Sequence, residues 1–186
     1  MRTALLVIDI QNDYFSGGTM ELVGADAASG QAGLVLAACR AKGMPIFHVQ
    51  HIATQPAATF FRPDTVGAEI HTSVRPLSGE TVITKGTPNS FRDTSLLDAL
   101  HAAEITDLVV VGMMTHMCVD STVRAATDLG FACQIVHDAC ATRDLTFGAQ
   151  NVPASAVQAA YMAALNGSFG SVVLAAQVVA DLHSPD

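Results

Sequence analysis

The amino-acid sequence predicts a parallel α/β sheet with helices on both faces, a doubly wound three-layer α/β/α arrangement formed as a single domain over residues 1–186. Three observations carry this. Short runs rich in β-branched residues alternate along the chain with alanine- and leucine-rich stretches at helical spacing. The strand-like runs are nearly continuous in apolar residues, which suits strands covered on both faces. At 186 residues the chain can bury one sizeable core, and no composition break, internal repeat or low-complexity segment divides it.

The first strand covers residues 3–10, TALLVIDI, whose late acid Asp9 stands at the carboxyl end, where open α/β sheets place their ligands. A turn aspartate capping the next loop is the alternative. Residues 11–25 hold Asn12, Asp13, Gly17, Gly18 and Gly24 and read as loop, with Phe15 either core or pocket wall. Residues 26–42 carry Ala28, Ala32, Val35, Leu36 and Cys39 at helical spacing and stop at Gly43. A second strand covers 45–50.

Residues 51–79 lack a period and contain Pro56, Pro63, Gly67 and Pro76; so long an irregular segment in a compact domain is usually functional. Its cluster Phe60, Phe61 and Arg62 suits substrate contact or subunit contact. Thr81–Lys85 is a short strand ending in one of only two lysines. Residues 95–104 form a helix opened by Ser95-x-x-Asp98, a variant of the capping box.

The central unit follows. The apolar strand 107–112 ends at Gly112, a methionine-rich turn covers 113–117, and Cys118 opens a helix that closes at Gly130. Strand, tight turn, reactive side chain and helix is a layout that presents a nucleophile at the sheet edge. The positive end of a helix dipole favours thiolate there, although an inert buried cysteine is the plain alternative. Residues 132–137 form the next strand, followed by a loop holding Asp138, Cys140 and Asp144. A helix over Ala154–Leu165, a strand over 171–174 and a helix over 176–182 complete the chain.

Composition excludes several function classes. The formal charge of −8 and the absence of any basic run speak against a nucleic-acid partner. No stretch approaches about 20 uncharged apolar residues, so no membrane span is expected. The N-terminus lacks the pattern of a signal peptide. The four cysteines, Cys39, Cys118, Cys133 and Cys140, show neither a CxxC pair nor a disulfide framework, which points to reduced thiols in the cytoplasm. With 50% hydrophobic and 14% charged residues, the surface must leave apolar area free, and a homo-oligomer, a dimer or tetramer, is expected.

Asp9 ends the first strand, Lys85 the third, and Cys118 follows the fourth, so a parallel sheet brings all three to one edge. The chemistry requires these types. A thiol needs a base before it can attack, a nearby cation stabilises thiolate and carboxylate together, and backbone N–H groups of the turn can cradle an oxyanion.

With these residues in view, the sequence resembles the isochorismatase-like cysteine hydrolases, the family of nicotinamidase and N-carbamoylsarcosine amidohydrolase. The matching segments are LVIDIQNDYF at 6–15, ITK at 83–85, VGMMTHMCV at 111–119, TVRAATDLG at 122–130 and VHDAC at 136–140. The resemblance implies a triad of Asp9, Lys85 and Cys118, a cis peptide at Met113–Met114, and an oxyanion hole formed by the N–H groups of Met114 and Cys118. It implies hydrolysis of an amide or carbamoyl C–N bond in a small molecule through a thioester, without a cofactor. A vinyl-ether hydrolase of the isochorismatase type, or a non-catalytic scaffold, are the alternatives, and an activated Cys118 should outpace the other three cysteines toward iodoacetamide.

The sequence departs from the nicotinamidase branch, which carries Asp-x-His and a later His as metal ligands; here the stretch reads Gln50-His51-Ile52-Ala53. No metal is therefore expected, although a site using His48, His51 and His71 stays open. Phe15, Phe61, Arg62 and His116 are the candidate substrate-binding residues, with Leu145 and Phe147 as further pocket candidates.

Overall fold

A computed structural model describes residues 2–184. Six strands form the central sheet: β1 (Thr3–Ile8), β2 (Ile46–His51), β3 (Thr81–Lys85), β4 (Asp107–Met113), β5 (Ala132–Ala141) and a late strand, Ser171–Val173. Between the last two lie the short strands β6 (Leu145–Phe147) and β7 (Gln150–Val152), which pair with each other as an antiparallel hairpin and make Ser171–Val173 β8. The sheet order is β3-β2-β1-β4-β5-β8 and every neighbouring pair is parallel. The helices are α1 (Ala25–Ala41), α2 (Leu96–Ala102), α3 (Asp120–Asp128), α4 (Ala154–Leu165) and α5 (Ala175–His183).

Strand pleating explains the layers. In β1, Leu5 and Val7 point to one face and, with Val109 and Val111 of β4, pack on Val35 and Leu36 of α1 and Val178 of α5. Ala4, Leu6 and Ile8 point to the other face, where Leu108 and Val110 join Leu100 of α2, Val123 of α3 and Leu165 of α4. Apolar side chains on both faces are what a near-continuous run encodes, and each fully buried leucine or valine contributes about 1.5–3 kcal/mol. The predicted doubly wound sheet is thus the observed one. Among the described residues no helix is long and apolar enough to cross a membrane.

The strand order reverses direction between β1 and β4, so a crevice opens beyond their carboxyl ends. Their close approach depends on Gly112, which faces Ile8 in the register; a Cβ there would run into the Ile8 carbonyl.

Several local expectations are corrected. Cys118 does not open the helix: it lies inside a π-helical turn, Thr115–Val119, and α3 begins at Asp120. Ser95 makes no side-chain capping bond, and the Leu96 N–H is met by Thr94 Oγ1 at 3.3 Å. Asp138 and Cys140 belong to a strand, not a loop. β5 leaves β4 after Ile135, pairs with β8 at Val136 and rejoins β4 at Cys140 opposite Gly112. Asp138 Oδ1 accepts from the Ala175 N–H at the start of α5, and Asp144 Oδ1 from the Ala154 N–H at the start of α4, both at 2.8 Å.

Candidate active site

Asp9 follows the last residue of β1 with φ of 49°, and its N–H donates to the Val49 carbonyl at 3.0 Å. This left-handed residue turns the chain and leaves the carboxylate at the switch point, fully buried. Lys85 reaches it from the end of β3, and Nζ lies 2.7 Å from Asp9 Oδ2 with both side chains inaccessible. The ammonium also donates to the carbonyls of Thr87 (3.1 Å) and Pro88 (3.0 Å). Among the described residues, neither oxygen of Asp9 has an aligned hydrogen-bond donor. The carboxylate is therefore neutralised by charge but keeps its lone pairs free for a proton.

Cys118 completes the group. Its Sγ, a carboxylate oxygen of Asp9 and a ring nitrogen of His51 all lie within 4.8 Å of one another. The turn that carries the cysteine follows a cis peptide between Met113 and Met114, at the position the resemblance implies. The N–H groups of Met117 and Val119 both donate to the Met114 carbonyl, at 3.1 and 3.2 Å.

The electrostatics reverse one expectation. Burial pushes the Cys118 thiol well above its usual value, the Asp9 charge pushes it further, and Lys85 only partly opposes them. The resting cysteine is thus a thiol, because desolvation beside a carboxylate outweighs any helix-end effect. Burial pulls the Lys85 ammonium down, but Asp9 and Cys118 more than offset this and the net shift is upward, so it stays charged. Burial also lowers His51, with Asp9 opposing and Lys85 adding, which leaves a neutral imidazole. Tyr14 is buried and its hydroxyl is raised well above its usual value, by burial first and then by the charges of Cys118 and Asp9. Tyr14 is a site neighbour that sequence reasoning did not assign, and His51 is another, considered there only as a metal ligand with His48 and His71.

The tripeptide after Ile10 fixes the surroundings. Gln11, fully buried, donates from Nε2 to the carbonyls of His51 (2.8 Å) and Ala68 (2.7 Å) and accepts the His51 N–H at Oε1 (2.8 Å). Asn12 Nδ2 donates to the Val66 carbonyl at 2.8 Å. Asp13 Oδ2 accepts the Phe61 N–H at 2.6 Å, and its Oδ1 the Thr19 N–H at 3.2 Å. Side chains 11–13 thereby hold the irregular segment after β2 over the sheet edge.

The other candidates are placed as follows. Phe61 is fully buried against Tyr14, Phe60 and His51, a packing position behind the site. Phe15 is buried and stacks on the His71 ring with centroids 3.7 Å apart. Arg62 is exposed, its carbonyl held by Thr65 Oγ1. His116 Nδ1 lies 2.6 Å from Thr142 Oγ1, and its ring meets Tyr161 edge-on. Phe147 stands 83% exposed beside the hairpin turn.

The combination His48, His51 and His71 is not assembled. His48 Nε2 donates to Glu80 Oε2 at 2.9 Å, where Arg40 also binds Glu80, and His71 is engaged by Ser73 and Phe15. Two cavities of about 580 and 670 Å³ lie elsewhere, one lined by Arg2, Lys42 and Gln134 and the other between α1 and α5. Neither includes Asp9, Lys85 or Cys118 in its lining.

The chain is similar in sequence and fold to known proteins of one family. The isochorismatase domain profile matches residues 3–177. The uncharacterised isochorismatase family protein YddQ of Bacillus subtilis is 53% identical over 172 residues, covering 92% of this chain and 96% of that one. A crystal structure from Oleispira antarctica, assigned to the isochorismatase hydrolases, superposes with a TM-score of 0.94 at 49% identity, covering 96% of each chain. Streptothricin hydrolase of Streptomyces noursei is 37% identical over 142 residues, covering 76% of this chain and 50% of that protein. More distant relatives, 26 to 28% identical, are named ureidoacrylate amidohydrolase and nicotinamidase.

Proposed function

Since the chain belongs to the isochorismatase family and is a hydrolase of that family, we propose that it cleaves the C–N bond of a small amide, ureido or carbamoyl compound through a thioester on Cys118. The observation that carries this reading is the meeting of a protonated, buried thiol with a carboxylate that has free lone pairs and a charged lysine behind it. Relatives named as amidohydrolases favour the same bond type.

In the proposed sequence Asp9 takes the proton from Cys118 as the sulfur attacks the carbonyl carbon. The N–H groups of Met114 and Cys118 hold the resulting oxyanion. The intermediate collapses as Asp9 passes the proton to the departing nitrogen, which leaves as ammonia or amine. Asp9 then draws a proton from water, whose oxygen attacks the thioester carbonyl and releases the acid and the thiol. Lys85 keeps its charge throughout, with its ammonium 2.7 Å from the carboxylate that relays the proton. The neutral His51 ring and the Tyr14 hydroxyl border the reacting atoms. Self-association is part of the same proposal, supported by the low charged fraction and by exposed Phe147 and Leu34; sedimentation should give more than the monomer mass.

The test is a screen for ammonia release over primary amides, ureas and carbamoyl acids. Wild-type protein should release ammonia from one class, while Cys118→Ala should keep the thermal melt and lose turnover entirely. Undiminished turnover in Cys118→Ala, or pyruvate release from an isochorismate-like vinyl ether in place of ammonia, overturns the reading.

A further inference from the structure

We propose that Asp9, His51 and Cys118 form a binding site for one thiophilic divalent cation of the zinc class, and that the cation switches the hydrolytic site off while bound. Three different donors, a carboxylate oxygen, an imidazole nitrogen and a thiol sulfur, come from three separate chain segments to within 4.8 Å of one another. Ligand atoms around a tetrahedral zinc at about 2.0–2.3 Å stand between 3 and 4 Å apart, so modest side-chain adjustment closes this set on a metal. Three protein ligands with a fourth position open is the arrangement of a solvent-accessible zinc site, and a mixed sulfur, nitrogen and oxygen set selects zinc-like ions over magnesium or calcium.

A second, independent feature points the same way. Both oxygens of Asp9 are buried and, among the described residues, without an aligned donor, the Lys85 ammonium lying 2.7 Å from Oδ2. A divalent cation would meet carboxylate lone pairs that no aligned donor meets. His51 is the partly exposed member of the trio. Its backbone is fixed at both N–H and carbonyl by Gln11, which sets the ring's position without using the ring itself.

Binding is balanced as follows. The Cys118 S–H bond breaks, sulfur bonds to the metal, and the thiol proton leaves to solvent; Asp9 binds as carboxylate and His51 as neutral imidazole, each releasing nothing. The sulfur lone pair that would attack a carbonyl, and the carboxylate that would accept the thiol proton, are then both engaged. The consequence for hydrolysis rests on the function proposed above, whereas the coordination does not.

Cobalt(II) is the probe, because a tetrahedral site with one thiolate gives it intense visible bands that hexahydrated cobalt lacks. The wild-type chain should bind one cobalt per chain with those bands, zinc should displace it, and bound zinc should block alkylation of Cys118 at alkaline pH. Cys118→Ser should abolish the bands. His51→Ala, which leaves both Gln11 contacts intact, should weaken binding by more than the roughly 10–100-fold that loss of an outer-shell partner costs. His51→Cys should restore tight binding with stronger sulfur-to-metal bands. Absence of stoichiometric cobalt binding to the wild type, or equal affinity in His51→Ala, overturns the site. Neither readout depends on turnover, so a chain that binds cobalt as described but releases no ammonia refutes the hydrolase reading alone, and the converse refutes the metal site alone.

Discussion

Replacing Lys85 with methionine tests the arrangement at its most exposed point energetically. The stem is preserved, so packing at the end of β3 survives, but Asp9 becomes a carboxylate without a cation at a place with no solvent. Removing one partner of a buried ion pair costs about 3–5 kcal/mol. The carbonyls of Thr87 and Pro88 also lose their donor, for about 1 kcal/mol more. Taking about 4 kcal/mol with a urea dependence of about 2 kcal/mol/M, the unfolding midpoint should fall by about 2 M. The double variant Asp9→Asn, Lys85→Met buries no charge and should regain most of that loss. Both should be inactive, the first because its base has lost the cation beside it, the second because it has no base. Equilibrium unfolding in urea by circular dichroism measures all three proteins. A drop below about 0.5 M for Lys85→Met, or a double variant no more stable than the single one, refutes the buried pair as described.

Three further outcomes are expected. Asp9→Asn should abolish hydrolysis yet speed alkylation of Cys118, because the charge that adds to burial in holding the thiol up is gone; mass spectrometry of the labelled peptide reads this, and slower or unchanged labelling contradicts it. Gln11→Ala strands the His51 N–H and carbonyl, at about 1–3 kcal/mol per unsatisfied group, and leaves the Ala68 carbonyl to Gln50 Nε2 alone; limited proteolysis should then cut within residues 52–67 faster than in the wild type. Glu80 is held down to about 2 by its Arg40 hydrogen bonds, against an ordinary 4.5, with burial opposing. Its contribution to stability is therefore complete above 4.5 and is lost as pH falls from there toward 2. Glu80→Gln should flatten the wild-type loss of stability in that acid window, and an unchanged pH profile argues against the pair.

The parts of the fold with a strong period were legible in the sequence. Thr81–Lys85 and Ala154–Leu165 have the predicted bounds, because each is framed by glycine, proline or asparagine and buries a coherent set of side chains. Strand β5 was cut short at His137 because its continuation is set by rejoining β4 opposite Gly112, a tertiary pairing with no local signature. The hairpin of β6 and β7 was missed since three-residue strands carry no period. The capping expectation at Ser95 failed because the neighbouring Thr94 hydroxyl meets the Leu96 N–H instead.

The site divides the same way. Asp9, Lys85 and Cys118 were visible because each sits at or just beyond the carboxyl end of a strand and parallel strands collect such ends on one edge. His51 and Tyr14 were not, since their nearness follows from the loop path that Gln11 and Asp13 impose. The state of the thiol was misjudged because helix proximity is readable from spacing, whereas desolvation is a property of the assembled core.

The torsion at Asp9 narrows what that position can be. A φ of 49° is comfortable for glycine and tolerated by aspartate and asparagine, whose short polar side chains enter the left-handed region more readily than longer ones. Glutamate would keep the acid but be penalised by the backbone; asparagine would suit the backbone but lose the acid. Mutational drift at this codon thus has no harmless neighbour, and a charge-conserving swap is a poorer control for chemistry than the neutral isostere.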